Sequence, residues 1–149
     1  MSCEVKLGIS ARHIHVSQGD LEKLFGVGVV LHPFKDLGQP GQYACEERID
    51  IVGPKGSLQG LRILGPVRKQ TQIELAPADA RKIGLNPPLR DSGDLAGTPG
   101  IDIVGPNGQV AISEGVIIAS RHIHLDTATA AKLQLQDKAL VKVRIKGKR

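Results

Sequence analysis

Ile49-Asp50-Ile51-Val52-Gly53-Pro54-Lys55-Gly56 returns 52 residues later as Ile101-Asp102-Ile103-Val104-Gly105-Pro106-Asn107-Gly108. In each copy a branched apolar run is interrupted by aspartate and then broken by glycine and proline. Branched residues at alternate positions suit a half-buried strand. The Gly-Pro step sets a bend, and the last glycine tolerates positive φ. After each turn the apolar pattern resumes, over residues 58–64 and 110–119. Each copy therefore predicts a β-hairpin, and the recurrence predicts a duplicated small β unit.

The composition points the same way. The 18 glycines and 9 prolines exceed an average combined share of roughly 12%, which favours short strands and tight turns over long helices. Aromatic residues are only 2% of the chain, so its core has to be built from Val, Ile, Leu and Ala. A chain of 149 residues fits one domain or two very small ones, and can bury roughly 70% of its extended surface. Its 40% hydrophobic content and mixed charges argue against disorder.

The net charge of +5 and pI of about 9.4 suit an anionic partner: a phosphorylated small molecule, nucleic acid or an acidic surface. With no tryptophan, one tyrosine and two phenylalanines there is little surface on which bases could stack, so no nucleic-acid partner is expected. Cys3 and Cys45 match neither a zinc-site spacing nor a disulfide framework, and read as free thiols in a reducing compartment. No apolar run approaches membrane length, and the first residues contain no apolar signal core. A cytoplasmic protein is expected.

Arg12-His13-Ile14-His15 recurs intact as Arg121-His122-Ile123-His124, and these copies hold four of the five histidines. In an extended segment residues two apart face the same side. Each copy then presents two imidazoles together while its isoleucine turns into packing. A single His-x-His often only satisfies local hydrogen bonds, and duplication can preserve a motif passively. Passive repeats, however, keep apolar and glycine positions rather than polar ones. Two such pairs brought together can hold one or two divalent ions, zinc foremost. Sliding the chain by 50 residues lays Gln72-Ile73-Glu74-Leu75 over His122-Ile123-His124-Leu125. Glu74 then falls in a ligand slot. Two readings stay open: a carboxylate ligand beside the histidines, or a glutamate favoured near a helix start by the dipole.

Around these motifs, residues 4–10 alternate as a strand that delivers the chain into the first pair. Ser17 with Asp20 is a capping signal ahead of Leu21, Leu24 and Phe25, and Gly26 can end that helix. Residues 27–46 read as irregular; His32 is a loop histidine, with a third-ligand role as the alternative. Pro77 and Gly84 bound a second helix, Asp126 opens a third, and residues 139–145 alternate as a last strand. The polar loop of residues 86–100, with Arg90, Asp91, Ser92 and Asp94, offers backbone N–H groups and a hydroxyl for binding, or is an ordinary connection.

Four stretches in order carry a family resemblance: Arg12-His13-Ile14-His15, Gly65-Pro66-Val67-Arg68-Lys69-Gln70-Thr71-Gln72-Ile73-Glu74, Leu89-Arg90-Asp91-Ser92-Gly93-Asp94 and Arg121-His122-Ile123-His124. Together they resemble the PduL-type phosphotransacylases, also called phosphate propanoyltransferases, over nearly the whole chain. The resemblance implies a mainly β fold of two small interleaved β-barrels capped by short α-helices. Barrel 1 would comprise residues 1–11 and 120–149, and barrel 2 residues 12–119. It implies an enzyme that interconverts a short-chain acyl-CoA plus phosphate with acyl phosphate plus CoA. His13 and His15 would hold one zinc ion, and Glu74, His122 and His124 another. Arg68 would bind the phosphate, and Ser92 and Ala119 would lie along the CoA.

The family pattern runs on past the position of Arg149, with further strands and one more metal-binding histidine, so barrel 1 is expected to be incomplete at its C-terminal end. Some members place a metal-contacting cysteine two residues after the glutamate, where this chain has Ala76. The amphipathic N-terminal extension that directs some members into bacterial microcompartments is not seen. That favours the cytoplasm, with microcompartment association and a homo-oligomer left open. In the implied reaction, metal ions and Arg68 neutralise and orient phosphate for attack on a thioester carbonyl. The alternatives are a metal-dependent thioester hydrolase, which would release thiol without phosphate, and a non-catalytic β-barrel binding module, which would carry no metal.

Overall fold

Both predicted hairpins form. The computed structural model describes residues 3–5, 7–8 and 12–145. In chain order its elements are β1 (Arg12–His15), α1 (Gln18–Phe25), β2 (Pro33–Asp36), β3 (Tyr43–Gly53), β4 (Gly56–Gly65), β5 (Gln72–Leu75), α2 (Pro77–Lys82), β6 (Leu89–Arg90), β7 (Ile101–Val104), β8 (Gln109–Ile112), β9 (Val116–Ala119) and α3 (Thr127–Lys132). The fold is mainly β. Two compact units are distinguished: Gly8–Arg121, and Met1–Leu7 with His122–Arg149.

In the larger unit the strands follow the order β6-β9-β5-β1-β4-β3-β7-β8, with β2 paired on β3. At its centre β1 and β5 run antiparallel, with His13 opposite Glu74, Ile14 opposite Ile73 and His15 opposite Gln72. On its outer side each meets a parallel neighbour, β1 beside β4 and β5 beside β9. This register makes the unit approximately two-fold about the Ile14–Ile73 pair. The rotation exchanges His13 with Gln72 and His15 with Glu74.

The hairpins obey the same symmetry. The turn between β3 and β4 rests on the C-terminal end of α2, where the Lys55 N–H donates to the Ile83 carbonyl at 3.0 Å. The turn between β7 and β8 rests on the end of α1, where the Asn107 N–H donates to the Leu24 carbonyl at 3.0 Å. Last-turn carbonyls have no partner within a helix, and here a β-turn supplies one. The glycines allow the approach: a Cβ on Gly53 would lie 2.5 Å from the Ile83 oxygen, and one on Gly105 2.5 Å from the Leu24 oxygen. Each half therefore clasps the helix of the other. Beneath lies the aliphatic core that the composition requires, with Ile14, Ile51, Ile63, Ile73, Ile83, Leu24 and Ile103 fully buried.

Helix α1 starts as its sequence indicates. Ser17 is the N-cap, its hydroxyl accepting from the Asp20 N–H at 3.2 Å, and Gly26 closes the helix at φ 106°. In α2 Pro77 follows the N-cap Ala76, and Gly84 lies beyond its end at φ +81°. In the smaller unit α3 is capped by Asp126, whose carboxylate accepts from the Thr129 N–H at 2.8 Å. Among the described residues no helix is long and apolar enough to cross a membrane.

Other expectations are corrected. Residues 27–46 are not wholly irregular: β2 pairs with the start of β3, and Pro33, lacking an N–H, takes an edge position. The run 110–119 is two strands rather than one. It breaks before Gly115 (φ +134°), whose carbonyl accepts from the Ile73 N–H at 2.8 Å, and then runs parallel beside β5. Residues 122–125 are irregular, although the stretch they echo is strand β5. Residues 139–145 form no strand, since none of the described residues pairs with them, and Leu140, Val143 and Ile145 are exposed. Of the strand expected at 4–10, Glu4, Val5, Leu7 and Gly8 are irregular, while Lys6, Ile9 and Ser10 lie outside the described residues.

Candidate functional site

The β1–β5 pair places three potential metal ligands on one face. His13 and His15, two apart on one strand, have ring centroids 5.1 Å apart with the rings nearly perpendicular. Across the register Glu74 lies opposite His13. Its Oε2 is 3.3 Å from His13 Nε2, and its Oε1 is 4.0 Å from His15 Nε2. One donor atom from each of the three falls within 4.8 Å of the others. The resemblance assigned Glu74 to the second pair; the structure sets its carboxylate against the first, which gives that pair a third donor.

The protonation states suit a cation. Burial first, then the Arg68 charge and the neighbouring His13, lower the His15 imidazole to about 4, so it is neutral at pH 7, the form in which an imidazole can bind a metal. Burial pushes the Glu74 carboxyl upward, but the His13 hydrogen bond and the charges of His13 and His15 outweigh it and hold the group below its ordinary value. The backbone of Leu64, on the neighbouring strand, gives the buried His15 ring a hydrogen-bond interaction that works against the effect of burial.

Gln72 ties this cluster to Arg68. The Gln72 side chain is 1% exposed. Its Nε2 donates to Glu74 Oε1 at 2.7 Å and to Ser92 Oγ at 2.9 Å, while its Oε1 accepts from the Gly93 N–H at 2.8 Å. Ser92 Oγ also accepts from Arg68 Nη1 at 2.9 Å. Burial pulls the Arg68 guanidinium below its usual range, with Glu74 opposing. A guanidinium, a hydroxyl and a carboxylate between two imidazoles thus form one connected group, whose guanidinium is suited to an oxyanion and whose His13, His15 and Glu74 could hold a metal ion.

A family model described as phosphate propanoyltransferase matches residues 6–149 of this sequence. The chain belongs to that family. Phosphate propanoyltransferases of Thermotoga maritima, Rhodopseudomonas palustris and Listeria monocytogenes are 56%, 49% and 47% identical to it. The aligned stretches cover 92%, 98% and 97% of this chain, and 65%, 65% and 68% of the relatives. The chain thus spans about 65% of the length of the first two curated relatives it matches.

The remaining expected residues of this family member divide between the units. Ala119, expected along the CoA, ends β9 opposite Arg90, two residues before Ser92. His122 and His124 belong to the smaller unit, where their ring centroids are 4.7 Å apart. Burial and then the His122 charge lower the His124 imidazole, which lines a cleft of about 540 Å³ with Cys3, Asp126 and Lys132. His32 is taken up by Glu47: its Nδ1 lies 2.6 Å from Glu47 Oε1, and its backbone N–H also donates to that carboxylate. Gln72 was missed as a site residue. The 50-residue echo already carried the signal, because it lays Gln72 over His122, two positions before Glu74 and on the same strand face.

Proposed function

We propose that this chain is a phosphate acyltransferase that interconverts a short-chain acyl-CoA plus phosphate with acyl phosphate plus CoA. The observation that carries the reading is the hydrogen-bonded link Arg68–Ser92–Gln72–Glu74, which would join a phosphate-binding cation to a group of metal ligands. The donor set fits zinc: two imidazoles and one carboxylate, with His15 neutral. His13, His15 and Glu74 would hold one ion, and His122 and His124 would contribute to a second. When bound, the zinc ions supply Lewis acidity and charge neutralisation.

The chain's own groups supply orientation. Arg68 offers a fork of N–H donors matched to phosphate oxygens and fixes the nucleophile against the thioester. Ser92 Oγ accepts from both Arg68 and Gln72, so its own proton is left to donate to a substrate oxygen. A phosphate oxygen attacks the thioester carbonyl carbon, forming the C–O bond of the acyl phosphate. The C–S bond breaks as CoA thiolate leaves, which needs no strong general acid. Binding turns the encounter into an effectively intramolecular attack. Ala119, on the strand beside the Ser92 loop, would flank the CoA. A cytoplasmic or microcompartment location goes with this activity.

Arg68→Ala tests the reading. It should abolish phosphate-dependent CoA release while leaving bound zinc unchanged by elemental analysis. Loss of both together would overturn the role given to Arg68. Equal thiol release by the native chain in phosphate-free buffer would instead mark a hydrolase, and absence of zinc a binding module.

A further inference from the structure

Arg68 sits on an arch, residues 66–71, whose two feet are tied to the same corner of the fold. At the first foot the Arg68 N–H donates to the Val16 carbonyl at 2.8 Å, and Arg68 bridges Ser17 in parallel. At the second foot Thr71, only 3% exposed, engages the first turn of α1. Its hydroxyl donates to Asp20 Oδ2 at 2.6 Å and accepts from the Ser17 N–H at 3.0 Å. Lys69 and Gln70 between the feet are exposed. The next residue, Gln72, is the one that reaches Glu74 and Ser92.

The geometry at Ser17 is unusual for a helix start. In a capping box the acid at the third helical position accepts directly from the N-cap N–H. Here Asp20 occupies that position, yet Thr71 stands between it and the Ser17 N–H. A donor and an acceptor that would satisfy each other have been opened to admit a hydroxyl from a segment more than fifty residues away in sequence. A core role alone would be served as well by valine, which has the shape of threonine and no polar atom to satisfy. The hydroxyl is therefore tied to where the arch stands, and the arch carries Arg68.

We infer that Thr71, with Asp20 as its acceptor, is a positioning residue that latches the Arg68 arch to α1 and so fixes the guanidinium at the phosphate position. It touches no substrate and acts through Arg68. The inference rests on the phosphate role given to Arg68 above, but the latch itself can be read without any phosphate. In Thr71→Val the Ser17 N–H and the Asp20 carboxylate lose their shared partner, and the second foot is free to drift. A displacement of about 1 Å in an orienting group costs up to about a hundredfold, so a partial drift should cost about tenfold.

The test compares Thr71→Val and Thr71→Ser with the native chain. In ligand-free protein the Arg68 Nε–H resonance, assigned by its loss in Arg68→Ala, should broaden or move towards the unstructured position in Thr71→Val and return in Thr71→Ser. In the CoA-release assay the KM for inorganic phosphate should rise about tenfold in Thr71→Val, with the KM for acyl-CoA and the bound zinc unchanged. An unchanged Arg68 resonance overturns the latch. So does a rise in both KM values together, loss of zinc, or failure of Thr71→Ser to rescue, because each marks a merely structural threonine. If the native chain releases no CoA, the acyltransferase reading fails while the resonance still decides the latch. If Thr71→Val does not fold, Asp20→Ala decides it: that variant keeps the Ser17 cap and should shift the resonance in the same direction, and no shift overturns the proposal.

Discussion

Replacing Gln72 by leucine should weaken the proposed zinc site rather than undo the fold. The side chain is almost fully buried and makes three hydrogen bonds, to Glu74, Ser92 and Gly93. These losses are unequal. Ser92 and Gly93 lie in an exposed loop, so their freed groups can turn to water. Glu74 is buried and cannot; losing a 2.7 Å bond to its carboxylate should lower stability by about 1.5–3 kcal/mol. With the carboxylate no longer held against the histidines, zinc affinity should fall about 10- to 100-fold, equivalent to about 1.4–2.8 kcal/mol. Competition against a chromophoric chelator measures the affinity, and urea unfolding of chelated protein measures the stability. A variant that binds zinc within a factor of two of the native chain would refute the claim that Gln72 orients Glu74.

Two further predictions concern the fold and an outlying ion pair. Gly53→Ala and Gly105→Ala should each destabilise by about 1–3 kcal/mol in urea unfolding, since both drive a Cβ against a helix-end carbonyl; Gly19→Ala, with nothing within 4 Å, should be neutral or stabilising, and a harmless Gly105→Ala would contradict the clasp. His32 should titrate above its ordinary 6.5, chiefly through its hydrogen bond to Glu47, and Glu47→Gln should bring it back. The raised imidazole makes its contribution fully present below 6.5 and lost as pH climbs through the folded value, while the lowered Glu47 carboxyl loses its part on acidification below 4.5. NMR titration of the imidazole proton reads this, and an unmoved midpoint in Glu47→Gln would rule the pairing out.

Local chemistry made part of this structure legible in advance. Ser17, Asp20 and Gly26 marked both ends of α1, and the two Gly-Pro-x-Gly turns marked both hairpins, because caps and turns are set by residues within a few positions. The alternation at 139–145 misled, because alternation describes a face and not the neighbour that would pair with it. Likewise the split at Gly115 depends on the approach of residues 71–73, which spacing along the chain does not reveal. The His-x-His motif marked a pair of neighbouring imidazoles, but the register that sets Glu74 against His13 is a long-range fact. Gln72 went unnoticed because an amide carries no metal-binding signature; its importance comes from what it touches.

The crossed contacts between hairpin turns and opposite helices have a consequence for how the larger unit comes apart. Like two people gripping each other's wrists, neither half can let go alone, since the turn of one holds the helix of the other. The imidazoles and the carboxylate lie on the β1–β5 pair at the centre of the same unit. Polar groups on a central strand pair would otherwise be a weak line along which the unit splits, and this weave holds that line until the whole unit yields.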